Sequence, residues 1–242
     1  MKALVFNGPR DVRYESYSDP ELATDNSVIV KVELCSICGS DLHMYHGDRI
    51  GNANYSEGVE PFCVGHEFAG EVVEVGKAVY RHKVGQRVLA SGGAPCGRCK
   101  HCLSGHTALC DHWTAFGLSK GLNGGQAEFV NVPMADLTLQ PIPEGVSDEQ
   151  SILLTDAMCT AYFGLTRTNL QPGDAVAVVG LGPIGLIGVE LAFALGASAV
   201  YAIDPVANRR AHAAGLGAVA LETSTALPMI MDGTKGAGGT RV

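Results

Sequence analysis

Ala175-Val176-Ala177-Val178-Val179-Gly180-Leu181-Gly182-Pro183-Ile184-Gly185 is the stretch that decides how the second half of this chain folds. Five apolar residues run into G-x-G-x-x-G at 180, 182 and 185, and an apolar helical pattern follows. Strand, glycine turn, helix is the context in which this otherwise weak pattern means dinucleotide binding. Gly180 permits the tight turn, Gly182 lets a pyrophosphate approach the backbone, and Gly185 lets helix and strand pack closely. Free N–H groups at the helix start then face the anion, with Leu181, Pro183 and Ile184 lining the approach. Asp204 ends the next apolar run, where it can accept hydrogen bonds from an adenosine ribose. A carboxylate there repels a 2′-phosphate and so favours NAD over NADP, with Arg209 flanking the adenine.

Outward from this turn the rhythm is βαβ. Strands are expected at 175–179, 199–203 and 218–221, and helices at 184–195 and 207–214. Residues 175–203 are apolar enough to raise a membrane span. The glycines, Pro183 and Glu190 instead divide them into two buried elements joined by a turn. Upstream, Ser147 and Gln150 have capping-box spacing, which predicts one long helix over 148–166. Before about residue 145 the chain changes texture to short β-like runs at 3–7, 28–35, 69–75, 87–90, 127–132 and 137–141. A short helix is expected over 40–45, closed by Gly47.

Composition narrows the function classes. The 242 residues are 46% hydrophobic and 17% charged, as in ordinary globular proteins. A formal net charge of −8 without a Lys/Arg-rich run argues against nucleic acid and anionic membranes as partners. The N-terminal residues lack the basic-then-apolar pattern of a signal peptide, so a cytoplasmic setting is expected.

Of the eight cysteines, four follow Cys96-x2-Cys99-x2-Cys102-x7-Cys110. Four thiolates at this spacing can wrap one tetrahedral zinc with no open position, a structural site. An iron–sulfur cluster or disulfides are the alternatives, but a cluster often carries proline after its last cysteine, and Asp111 follows here. His101, His106 and His112 read as solvated loop residues beside a complete thiolate set, and Cys35 and Cys63 as buried small hydrophobes.

Two further segments carry ligand chemistry, Cys38-Gly39-Ser40-Asp41-Leu42-His43 and Gly65-His66-Glu67-x2-Gly70-x5-Gly76. With the four-cysteine lobe and the glycine turn, in this order, they resemble the zinc-containing alcohol dehydrogenases of the medium-chain dehydrogenase/reductase family. The resemblance covers essentially the whole chain. It implies an α/β multidomain fold: a mostly-β GroES-like catalytic domain over 1–150, with the structural zinc lobe at about 92–113, and an incomplete Rossmann, doubly wound domain over 151–242. Cys38 and His66 would ligate a catalytic zinc, with Glu67 able to enter its shell and Asp41 orienting His66. In Thr155-Asp156-Ala157-Met158-Cys159-Thr160 the resemblance puts Asp156 as third ligand and Thr160 near the nicotinamide, while Cys159 is a rival ligand one turn on. A three-ligand zinc with an open corner lowers the pKa of a bound oxygen from about 16 in bulk water towards 7. Hydride then passes from an alcohol, polyol or aldehyde hydrate to NAD. The resemblance further implies that the proton leaves through Ser40, the cofactor ribose and His43, though His43 alone also reads as a surface histidine.

The family further implies later strands, a return to the catalytic domain and a homo-oligomer interface. The chain is therefore expected to correspond to the N-terminal two-thirds of such a protein, and a catalytically inert fragment that still binds zinc is the competing reading. The loop over 39–65 is expected to lie by the active site.

Overall fold

The structure is a computed structural model that describes residues 1–50, 53–55, 60–118, 121–236 and 238. Backbone contacts divide the chain into two compact units, Met1–Asp156 and Ala157–Val242.

The first unit is mostly β. Its central antiparallel sheet runs in the order Phe129–Val132, Val28–Cys35, Phe68–Val75, Arg87–Ala90, Leu139–Pro141. Val30 pairs with both Val130 and Val72, so apolar residues meet across three strands and bury one face. Val28, Val30, Phe68, Val72, Val88, Phe116, Val130 and Val132 form that core. Each such side chain contributes about 1.5–3 kcal/mol of burial, and the edge-to-face Phe68–Phe116 pair at 5.1 Å adds aromatic contact. Gly70 and Gly76 mark where backbones almost touch: a Cβ there would lie 2.0 Å from the Lys31 carbonyl oxygen and 2.3 Å from that of Asp25. A second sheet joins Asp11–Ser16, Lys2–Gly8 and Phe62–Cys63. The Asp11–Ser16 strand had no alternation strong enough to predict, because half of its residues are exposed and none is buried.

The second unit is a parallel sheet with Ala199–Ile203 between Ala175–Val179 and Val219–Leu221. Val200 and Ala202 pack with Val189, Ala192 and Ala213 on one face. Tyr201 and Ile203 pack with Ala226 and Ile230 on the other. Period-two alternation along one strand thus places helices Pro183–Ala194 and Ala207–Gly215 on one side and Ala226–Gly233 on the other. This is the doubly wound arrangement. Among the described residues no helix is long and apolar enough to cross a membrane.

Three expectations are corrected. The single helix over 148–166 is broken into Asp148–Ser151, a 3-10 turn Ile152–Leu154 and Ala157–Arg167, with Thr155 and Asp156 in a turn. The predicted cap is present, Ser147 Oγ accepting from the Gln150 amide at 3.2 Å. Thr155 Oγ1 donates back to the Ile152 carbonyl at 2.7 Å, competing with the helical ladder where the break falls. The strand over 137–141 is shortened to Leu139–Pro141 by a helical turn, Ala135–Thr138. Cys35 is exposed, whereas Cys63 is buried. Cys35 lies in register with Lys31 and Glu33, on the face of its strand that points outward.

Candidate metal centres and nucleotide turn

Cys38 stands just before helix Gly39–His46, where Asp41 Oδ2 accepts from the Cys38 amide at 2.9 Å and caps the helix start. Gly47 ends the helix in the left-handed conformation. The cap aims the other Asp41 oxygen inward, and Oδ1 stands 3.5 Å from His66 Nδ1. Both atoms are buried, and neither makes a hydrogen bond of ordinary length. His66 and Glu67 occupy the turn entering strand Phe68–Val75, and both are buried. Asp156, freed from helical geometry by the break, brings Oδ2 to 3.4 Å from His66 Nε2 and 3.9 Å from Cys38 Sγ.

One donor atom from each of Cys38, His66, Glu67 and Asp156 lies within 4.8 Å of the others. Two N, O or S ligands on one tetrahedral zinc stand about 3.3–3.6 Å apart, so the His66–Asp156 separation fits and the Cys38–Asp156 separation is slightly wide. Electrostatics point the same way. Burial pulls the His66 imidazole down, but the facing Asp156 and Asp41 carboxylates and the Cys38 sulfur outweigh it and push the ring up to about 11. The His66 contact, against burial and with help from Ser40, holds the Cys38 thiol below its ordinary value. Converging anionic donors draw positive charge to their centre, either as a proton on the ring or, with the ring neutral and ligating, as a divalent ion. Cys159, the rival ligand, is exposed on helix Ala157–Arg167 and is not in the donor group.

The other expected residues around this centre fall as follows. Ser40 sits half-buried on the helix beside Cys38. His43 is exposed, with Nδ1 3.0 Å from Asp48 Oδ2. Thr160 is exposed on the first helix of the second unit. Two participants escaped sequence reasoning: Asp48, and Ser36, whose hydroxyl donates to Glu67 Oε2. Neither belongs to a spaced motif, so only the fold reveals them.

The four-cysteine lobe is built from short helix Lys100–Leu103 and a 3-10 turn at Thr107–Leu109. Cys96, Cys99, Cys102 and Cys110 converge there, and none of the eight cysteines is joined in a disulfide. The amides of Cys96 and His112 donate to Cys110 Sγ at 3.2 and 3.3 Å. Backbone N–H groups of Cys102 and Asp111 draw the Cys99 thiol down to about 6. Burial and the neighbouring sulfurs push Cys102 up to about 12. One sulfur ionises readily and the next resists, as expected where thiolates crowd around the place of a cation. His101 faces Asp111 at 3.7 Å and His106 meets Ser104 at 3.1 Å, both outside the donor group.

In the second unit Gly180 takes the left-handed conformation (φ +89°), and a Cβ on Gly185 would lie 1.8 Å from the Gly180 carbonyl oxygen. A Cβ on Gly182 would meet nothing within 4 Å, which leaves a concave backbone surface open. Pro183 fills the first helical position, so Ile184 and Gly185 offer the free N–H groups. The role expected of Leu181 changes. Its side chain is fully buried in the core, and its amide donates to Asp204 Oδ2 at 2.8 Å. The amide of Val206 donates to Asp204 Oδ1 at 2.7 Å, and Arg209 stands 3.5 Å from Oδ2. These N–H groups, then the Arg209 charge, hold the Asp204 carboxyl below its ordinary value despite its burial. Oδ1, with the Val206 amide as its donor, retains a lone pair for a ribose hydroxyl. The turn therefore fits a dinucleotide.

The sequence signature of the alcohol dehydrogenase GroES-like domain matches residues 24–144. A medium chain reductase/dehydrogenase from Acremonium is 38% identical over 237 residues, covering 96% of this chain and 79% of that protein. Sorbitol dehydrogenase from Bacillus subtilis is 36% identical over 218 residues, covering 90% of this chain and 60% of that enzyme. Among solved structures, alcohol dehydrogenase TADH from Thermus sp. ATN1 superposes with a TM-score of 0.92 at 35% identity, over 99% of this chain and 68% of that one. The chain thus spans about three-fifths of the sorbitol dehydrogenase and two-thirds of the Thermus enzyme. Two donor sets, a dinucleotide turn and a likeness running the length of the chain converge on one conclusion: this chain belongs to the zinc-type alcohol dehydrogenases of the medium-chain family.

Proposed function

We propose that this chain carries the metal-binding and cofactor-binding parts of a zinc-dependent oxidoreductase that moves a hydride between an alcohol, polyol or aldehyde hydrate and NAD. The observation that carries the reading is the approach of Cys38, His66 and Asp156, from distant parts of the sequence, to separations that one ion can bridge. When bound, zinc supplies a Lewis acid at the corner these three leave vacant, and NAD supplies the hydride acceptor.

The residues divide the remaining work. Cys38, His66 and Asp156 hold the ion, and Asp41 fixes the orientation of the His66 ring from behind. Ser40 Oγ takes the substrate proton, and His43, seated on Asp48, delivers it to solvent. Thr160 borders the nicotinamide. Ile184 and Gly185 hold the pyrophosphate by their amides, Asp204 takes the ribose, and Arg209 flanks the adenine. The Cys96, Cys99, Cys102 and Cys110 lobe binds a second zinc that folds the surrounding loop. The carboxylate at Asp204 supports NAD over NADP.

The test joins a zinc count to an NADH titration and a screen of short alcohols, polyols and aldehydes with NAD. Two zinc ions per chain, NADH binding and turnover lost in Asp156→Ala, with one zinc retained, support the reading. Two zinc ions and NADH binding with no turnover on any substrate would favour the inert reading instead.

A further inference from the structure

The donor group around His66 holds four protein ligands, one more than a metal centre with a vacant corner can use. The fourth, Glu67, is buried, and its backbone is fixed at the head of strand Phe68–Val75. A buried carboxylate beside a divalent ion would be drawn onto it and close the tetrahedron. Among the described residues, the hydrogen-bond partner of this carboxylate is the Ser36 hydroxyl, which donates to Oε2.

Ser36 is itself held from two directions. Its amide donates to the Glu67 carbonyl at 3.1 Å. Its carbonyl accepts from Gln126 Nε2 at 3.1 Å, and the Gln126 side chain is buried. The Gln126 main chain is fixed, its backbone amide donating to the Val64 carbonyl at 2.9 Å and its carbonyl accepting from the Leu4 amide at 2.8 Å. Gly65 leaves the space its side chain needs, since a Cβ on Gly65 would fall 2.4 Å from Gln126 Cγ. A hydrogen-bonded relay thus runs from Gln126 through Ser36 to one oxygen of Glu67.

We infer that Ser36 is a positioning residue: its hydroxyl restrains Glu67 as a reserve ligand and so keeps the fourth corner of the metal open. The inference rests on the metal-centre reading given above. A hydrogen bond to an ionised carboxylate is strong enough to bias this choice by an order of magnitude. Without the hydroxyl, the Glu67 carboxylate is freer to take the metal as its replacement partner and to compete with any external ligand.

The test loads the purified chain with cobalt(II) and titrates imidazole into the open position, following visible absorption. In Ser36→Ala, imidazole should bind on the order of tenfold more weakly. The spectrum before titration should weaken, as an added carboxylate oxygen raises the coordination number. Ser36→Thr, which keeps the hydroxyl, should restore both. In Glu67→Gln the further change Ser36→Ala should make no difference, so the effect is read through Glu67 even if one single variant folds poorly. Imidazole affinity and spectrum unchanged in Ser36→Ala, with two metals bound, would overturn the inference and leave the metal centre standing. A parent chain that binds one metal, in the thiolate lobe alone, would remove the metal-centre reading and the inference with it.

Discussion

Asp41 Oδ1 faces His66 Nδ1 at 3.5 Å across a buried gap, and the same carboxylate caps the helix that presents Cys38. One side chain thereby couples the orientations of two ligands that are separated by a loop. Asp41→Asn keeps the shape but removes the charge. It should weaken zinc at the Cys38, His66, Asp156 centre by about 10–100-fold while the thiolate lobe keeps its metal. Chelator competition monitored by zinc release in two phases reads this directly, and identical release from both sites in variant and parent would refute it.

The glycine turn offers a paired contrast. Gly185→Ala drives a Cβ into the Gly180 carbonyl, so it should destabilise the second unit by about 1–3 kcal/mol and weaken NADH binding together. Gly182→Ala meets open space and takes an ordinary φ of −72°, so it should cost about 1 kcal/mol or less while still obstructing the pyrophosphate. Urea unfolding and NADH fluorescence, measured on both variants, separate packing from ligand approach. Equal stability losses in the two would contradict this division.

Asp204 predicts an acid limb in stability. Its carboxyl is depressed in the folded state by the Leu181 and Val206 amides and by Arg209. A depressed folded value means the stabilisation is fully present above the unfolded value and is lost as pH falls through the folded one. Unfolding midpoints should therefore decline across that acidic window in the parent. The decline should be shallower in Asp204→Asn, which should also bind NADH less tightly at neutral pH. Superimposable pH profiles for the two proteins would rule this out.

The lobe carries its own reporter, because Trp113 is the single tryptophan and lies against Gly93 at the lobe's base. Cys102→Ser should lower zinc content by one ion per chain and shift Trp113 fluorescence towards that of a solvated indole. It should also expose the segment around 96–110 to protease, since the metal folds a loop with little core of its own. Unchanged emission and protease resistance after zinc loss would show that the lobe folds without metal.

Local chemistry made much of this protein readable in advance. The strands Val28–Cys35, Arg87–Ala90, Ala175–Val179 and Ala199–Ile203 announce themselves by apolar runs bounded by turn residues, and the thiolates by short spacing. Gly180 and Gly185 were legible because their roles depend on backbone sterics within a few residues. Strand Asp11–Ser16 and helix Ala226–Gly233 were not, the first being largely solvated and the second weakly bounded by turn signals.

What lay beyond the sequence depends on contacts between distant segments. No spacing rule says that a helix over 148–166 must break to turn Asp156 towards His66. Nor does any motif assign the Leu181 amide to Asp204, or Ser36 to Glu67. Ligand identity, glycine placement and β against βαβ texture are properties of neighbouring residues, and the chain itself determined them. Which donors share a centre, and which carboxylate is held back from it, follow from long-range packing that only the folded structure decided.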